Sequence, residues 1–175
     1  MIHRIIRACL FDGNLYYELA DDQGATSQAF VVVLLGGLAV SIGLVFGVAI
    51  GYDLSGYVLI TVRSVSSAIC SWFIVGLFAT GIGRLLRRKT RLSYMLTSLG
   101  FARAPELLSI VLAVAYFSEA LALFFNAVIL VWVTLNVSRG VSRTIDMPFS
   151  VGLWIGIVGL IIMIQVRNIF INVML

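Results

Sequence analysis

The sequence predicts an all-α, polytopic membrane protein built as a bundle of five transmembrane helices. Hydrophobic residues make up 61% of the 175 residues and charged residues only 11%, whereas about a quarter of the residues in soluble domains are charged. The mean hydropathy is +1.10. Several runs of roughly 20 residues, the length that one crossing of the bilayer needs, contain almost no charge. Together these values exclude a water-soluble globular domain.

Residues 1–28 are predicted to form a cytoplasmic or interfacial segment before the first span. Residues 1–10 place apolar side chains at helical spacing on one face. This stripe consists of Ile2, Ile5, Ile6, Cys9 and Leu10. The basic side chains lie off the stripe, which is typical of a short helix in the interface near lipid phosphates. Because Arg7 interrupts an already short apolar run, we do not expect a secretory signal peptide.

Five spans are predicted within a transmembrane domain of residues 29–172. Their approximate ranges are 29–51, 65–86, 99–117, 119–138 and 149–170. The first, second and last spans are long apolar runs. Asp146 and Pro148 precede the last span, where an acid and a proline both suit the start of a helix.

The middle of the chain is harder to divide into spans. Residues 107–137 form a run of 31 residues with one charge, Glu119. One helix of that length would extend about 46 Å, well beyond the roughly 30 Å of the hydrocarbon core. We therefore expect two helices that turn at Ser118, because serine can cap a helix and an acid favours its first turn. The helix before the turn is then short unless it extends backward to Leu99, so four spans remain the alternative.

The distribution of basic residues predicts the orientation. With five spans and a cytoplasmic N-terminus, ten of the 12 Lys and Arg residues fall inside, and only Arg63 and Arg167 fall outside. With four spans the division is nine to three. Both obey the positive-inside rule, which therefore predicts the orientation but does not decide the number of spans. The expected location is a bacterial inner membrane.

A basic loop follows the second span. Its cations are Arg84, Arg87, Arg88, Lys89 and Arg91. Such a loop is a topology signal, and it is also suited to anionic lipid headgroups, since each cation near the surface contributes about 1 kcal/mol. Nucleic acid is not an expected partner, because the loop lies against the membrane.

Small residues recur at four-residue spacing in two spans. The glycines concerned are Gly43, Gly47 and Gly51 in the first span and Gly152 and Gly156 in the last. This spacing aligns them on one face of a helix and allows a second backbone to approach closely. We favour packing within the bundle, with docking of another integral membrane protein or of a second copy as the alternative.

Residues suited to catalysis or metal binding are scarce. The one histidine is His3, and the two cysteines, Cys9 and Cys70, are too few for a Cys/His metal site. None of the common nucleophile, phosphate-binding or zinc-protease motifs is present. We expect no catalytic site, no metal and no cofactor.

Three polar side chains within the predicted spans support an alternative function. Glu106 and Glu119 lie near helix starts, where capping explains them, and Asn126 suits an interhelical hydrogen bond. Ionisable residues inside a membrane can also mark the path of an ion or a substrate. A small transporter or channel that uses these three residues is therefore the alternative hypothesis.

The segment GFARAPELL, residues 100–108, follows the basic loop and Tyr94. It resembles the GFAxxPxLL-type element of bacterial members of the Yip (Ypt/Rab-interacting protein) domain family. The residues that carry this resemblance are Gly100, Phe101, Ala102, Pro105 and Glu106. Residues 7–30 are similar to the family's N-terminal segment, and the five-span layout is similar as well.

The resemblance implies a non-enzymatic integral membrane protein without established catalytic residues. Eukaryotic members of the family interact with Rab-type GTPases, but the long cytoplasmic region of those proteins has no counterpart in this sequence, so GTPase binding is not expected. The leading hypothesis is a protein that acts through contacts between helices and with lipids. An accessory or assembly subunit of a larger membrane complex is a variant of it.

Overall fold

The computed structural model describes residues 1–22, 24–47, 51, 53–88 and 90–173. The described backbone is helical, without strands. Its elements are α1 (Ile2–Cys9), α2 (Gly13–Asp21), α3 (Ala25–Gly47), α4 (Leu54–Leu85), α5 (Leu92–Ala102), the 3₁₀ helix η1 (Ala104–Tyr116), α6 (Glu119–Thr144) and α7 (Phe149–Val173). Five segments are long and apolar enough to cross a bilayer: α3, α4, α5 with η1, α6 and α7. The predicted all-α membrane fold with five spans is confirmed.

Consecutive spans run in opposite directions. Gly37 of α3 lies against Val65 and Ala68 of α4, whereas Ser41, one turn later in α3, shares a hydrogen bond of 2.8 Å with the earlier Thr61. We call the end at which α3 begins the N-terminal end and the end at which α7 finishes the C-terminal end. The basic loop lies at the N-terminal end, and the junction between α3 and α4 lies at the C-terminal end.

The helix that contains the second predicted span begins at Leu54, eleven residues before the predicted start of that span near residue 65. Asp53 caps α4, because its carboxylate accepts hydrogen bonds from the Ser55 hydroxyl at 2.6 Å and from the Gly56 N–H at 3.0 Å. These two bonds hold the pKa of Asp53 below its usual range. As a consequence Arg63, which the sequence places between the first two spans, lies within the helix α4.

The third span consists of two kinds of helix. The α-helical part, α5, ends at Ala102, and the Glu106 N–H then donates to the Arg103 carbonyl at 2.9 Å, the spacing of a 3₁₀ turn. A 3₁₀ helix rises about 2.0 Å per residue, so the 13 residues of η1 extend roughly 26 Å. The segment Leu92–Tyr116 is therefore long and apolar enough to cross the bilayer, and it begins seven residues before the predicted residue 99.

The glycines at four-residue spacing pack within the chain. A Cβ on Gly43 would overlap the Ser109 carbonyl of η1, and one on Gly47 would lie 2.7 Å from the Leu112 carbonyl. In the last span, Cβ atoms on Gly152 and Gly156 would overlap the Ser138 carbonyl and hydroxyl of α6. These close approaches join α3 to η1 and α7 to α6.

Gly51 does not belong to this packing. It lies beyond Gly47, the last residue of α3, and a Cβ there would meet nothing within 4 Å. Its φ of +103° lies in the region that favours glycine. Gly51 therefore serves the turn before α4, and its predicted role in helix packing is wrong.

The N-terminal segment is packed against the side of the bundle. The Trp132 indole N–H, near the middle of α6, donates to the Cys9 carbonyl at 3.0 Å, and its ring stacks on Phe11 at 6.4 Å between centroids. Ion pairs join α1 to α2: Arg7 contacts Asp12 at 2.6 Å and Glu18 at 2.7 Å. Hydrogen bonds from Arg7 hold the pKa of both carboxyls below the usual range.

Candidate functional site

A cavity with two adjoining lobes lies between α3, α4, η1, α6 and α7. The outer lobe, toward the C-terminal end, has a volume of about 590 Å³, and the inner lobe has about 320 Å³. Five residues line both lobes: Ser64, Ser67, Asn126, Arg167 and Asn168. Volumes of this size are typical of sites that hold small ligands.

An ion pair forms one wall of the inner lobe. The Arg103 Nε donates to Glu106 at 2.8 Å, and its Nη1 donates to the Ala68 carbonyl at 2.8 Å and to the Ser71 hydroxyl at 3.1 Å. Arg103 is 5% exposed and Glu106 is 7% exposed. Arg103 and Glu106 are three residues apart in the sequence. In the 3₁₀ geometry that begins at Arg103, this spacing places both side chains on one face. Each charge is therefore neutralised by a close partner inside the span.

The outer lobe carries charges from three elements. Arg63 of α4, Glu119 at the start of α6 and Arg167 of α7 all line it. Glu119 is exposed, and Arg167 is partly buried. Glu119 therefore marks the mouth of the cavity, and Arg167 lies deeper, where the two lobes adjoin.

The long α4 helix supplies the polar wall. Ser64, Ser67 and Ser71 follow one another at spacings of three and four residues, which places them on one face of a helix. The Ser67 hydroxyl donates to the Ser64 carbonyl at 3.0 Å. This stripe of small polar residues on an apolar helix is the sequence signal by which the cavity wall could have been found.

Asn126 has a different role from the predicted one. Its side chain lines both lobes, and no hydrogen bond links it to another residue in the described part of the chain. The expected interhelical hydrogen bond is therefore wrong within those residues. The Asn126 amide instead offers donors and an acceptor to the cavity.

The basic loop lies far from the cavity, at the N-terminal end. Arg84, Arg87 and Arg88 are exposed, and Arg91 lies over the Tyr94 ring at 5.8 Å from its centroid. Lys89 lies outside the described residues. These exposed cations do not line either lobe of the cavity.

The residues of the Yip-like motif are buried. A Cβ on Gly100 would lie 2.9 Å from the Ala29 carbonyl, so this glycine allows α5 to approach α3. Phe101 and Ala102 are fully buried, as is most of Pro105. Glu106 is the one motif residue on the cavity wall. Packing accounts for the other four.

Among the residues that the structure describes, no group of three or more His, Cys, Asp or Glu side chains could hold a metal ion. No protein-family model matches the chain, and no curated protein or solved structure matches it.

Proposed function

We propose that the protein is a non-enzymatic integral membrane protein that binds a small polar or amphiphilic ligand in the two-lobed cavity. The observation that carries this proposal is the convergence of Arg63, Arg167 and Asn126 on one cavity inside apolar spans. Charged and amide groups are costly in a hydrocarbon environment. A bundle that needed only stability would bury apolar side chains in their place.

The cavity suits binding from one end better than conduction through the bundle. Beyond Arg103, toward the N-terminal end, the inner lobe gives way to the buried side chains of Trp72, Val75, Leu99 and Val137. The Arg103–Glu106 pair and this apolar layer separate the cavity from the N-terminal end. A transporter that uses Glu106, Glu119 and Asn126 would need this layer to open, whereas a binding protein would not.

Contacts with lipids or with other membrane proteins, which the Yip resemblance implies, are a second candidate function. The exposed apolar side chains of α1 favour it: Ile2 and Leu10 are each 72% exposed, and Ile6 is 52% exposed. Gly43 and Gly47 are occupied by η1, so a partner subunit would dock elsewhere, for example on α1. We propose the bacterial inner membrane as the location, with the basic N-terminal end in the cytoplasm.

Replacement of Ser67 with phenylalanine is expected to abolish ligand binding, because this side chain lines both lobes. Native mass spectrometry of protein extracted from its own membrane should show a bound small molecule in the wild type. The Ser67→Phe variant should lack that molecule while retaining its helical circular dichroism.

The matched control is Leu77→Phe on the same helix, since Leu77 is 47% exposed on the outer surface. This variant should retain the bound molecule. Equal occupancy in Ser67→Phe and wild type, or a wild type without any bound molecule, would contradict the proposed function.

A further inference from the structure

We infer that the ligand is an anion, held through phosphate or carboxylate oxygens by the guanidinium group of Arg167. This inference rests on the proposed function and names the chemistry of its ligand. The group sits where the two lobes adjoin, on α7, opposite Ser64 and Ser67 of α4.

Arg167 lacks a hydrogen-bond or ion-pair partner within the described residues. The carboxylate of Glu106 interacts with it electrostatically but is already bonded to Arg103 at 2.8 Å. A partly buried cation without a partner is unfavourable, and the flat guanidinium fork with its five N–H donors matches an oxyanion.

Two amide side chains near Arg167 can donate hydrogen bonds to the same anion. Asn126 and Asn168 present amide groups to both lobes, and in the described residues neither amide is engaged in a hydrogen bond. A cation in this position would meet the charge of Arg167. Arg63 also lines the outer lobe. Because its side chain already interacts with another group of the protein, the proposed anion site does not depend on it.

Apart from Glu119 at the mouth, the remaining walls of the outer lobe are apolar. They are formed by Leu44, Ile60, Leu112, Ala115, Ala122, Leu123 and Phe170. A volume of about 590 Å³ leaves room beside the anionic group for a further part of the ligand. This combination favours an anionic group carried on an apolar body, such as a lipid headgroup, although a free anion would be bound by the same chemistry.

The two sources of the anion are separated by a thermal-unfolding experiment. The purified full chain is placed in phosphatidylcholine nanodiscs, and either phosphatidylglycerol is added to the discs or inorganic phosphate is added to the buffer. A ligand that binds the folded state raises Tm with its concentration. Binding at Arg167 predicts that at least one probe raises Tm in the wild type and that its apparent affinity falls at least about tenfold in Arg167→Gln.

Arg167→Lys should retain part of the response, because it keeps the charge but loses the fork. Arg143→Gln removes an exposed arginine at the N-terminal end, outside the basic loop and the cavity, and should respond as the wild type does. A response to phosphatidylglycerol alone identifies the lipid headgroup as the source, and a response to inorganic phosphate identifies a free anion. No response to either probe, or an equal response in Arg167→Gln, would overturn the anion site.

Unfolding without added anion separates a binding role from a structural one. Since the Arg167 side chain makes no hydrogen bond or ion pair within the described residues, Arg167→Gln in phosphatidylcholine should unfold at the wild-type temperature or above it. A clearly lower Tm would show that Arg167 stabilises the apo protein and would contradict the inference. If Ser67→Phe loses a bound molecule that Arg167→Gln retains, the proposed function survives and the anion site does not.

Discussion

Replacement of Glu106 with leucine is expected to lower the free energy of unfolding by about 3–5 kcal/mol, the usual cost of breaking a buried ion pair by removing one partner. The reason is that Arg103, 5% exposed, would keep its charge inside the span without the carboxylate that neutralises it. Equilibrium unfolding in a mild detergent, followed by circular dichroism, measures this difference.

The double variant Arg103→Met with Glu106→Leu should recover most of the loss, because replacing both partners by apolar residues of similar size is often neutral. Arg88→Gln is the control for an exposed pair, since Arg88 lies 3.9 Å from an Asp146 side chain that is 87% exposed. Its effect should stay within about 1 kcal/mol. A double variant as unstable as Glu106→Leu alone would show that the pair is not the cause.

Replacement of Gly43 with alanine is expected to destabilise the protein by about 1–3 kcal/mol, the usual cost of overpacking. The added methyl group would overlap the Ser109 carbonyl, which is backbone and cannot rotate away. To accept it, η1 must separate from α3, and the wall of the inner lobe that Ser109 lines must move. The same unfolding measurement applies.

Gly81→Ala is the matched control. Gly81 also lies within a spanning helix, α4, but a Cβ there would meet nothing within 4 Å. Alanine has a higher helix propensity than glycine by up to about 1 kcal/mol, so this variant should be neutral or slightly more stable. If both alanine variants shifted stability by the same amount and in the same direction, close backbone packing at Gly43 would be refuted.

The start of α6 could be predicted because its signals are local. Ser118 caps the helix by accepting a hydrogen bond from the Leu121 N–H at 3.4 Å, and Glu119 is the first helical residue. The close packing of Gly43 and Gly152 could be predicted for the same reason, since a four-residue spacing needs no knowledge of the partner helix. Which helix fills the space is a property of the bundle and required the structure.

The cavity could not be predicted because it depends on where separate helices meet. Hydropathy places Arg63 just before the second span. However, Asp53 caps α4 so that the helix begins at Leu54, nine residues before Arg63, and Arg63 therefore lies within the helix. The apolar run of the last span likewise ends just before Arg167, but the helix α7 continues beyond this residue to Val173. Both arginines therefore line the cavity, which the charge distribution along the sequence does not reveal.

The burial of the Arg103–Glu106 pair also follows from a non-local cause. Three-residue spacing predicts that the two side chains can meet. It does not predict that α4 supplies the Ala68 carbonyl and the Ser71 hydroxyl to the same guanidinium group. These contacts engage the Arg103 guanidinium group on the wall of the inner lobe.

Photo-crosslinking from a native phenylalanine position tests the central claim, ligand binding in the cavity, most directly. A photoreactive phenylalanine analogue replaces Phe170, which lines the outer lobe, or Phe124, which is 61% exposed and does not line either lobe. After irradiation in native membranes, mass spectrometry should find one discrete small-molecule adduct at position 170 and only bulk-lipid adducts at position 124. The same set of adducts in similar yield at both positions would contradict the claim.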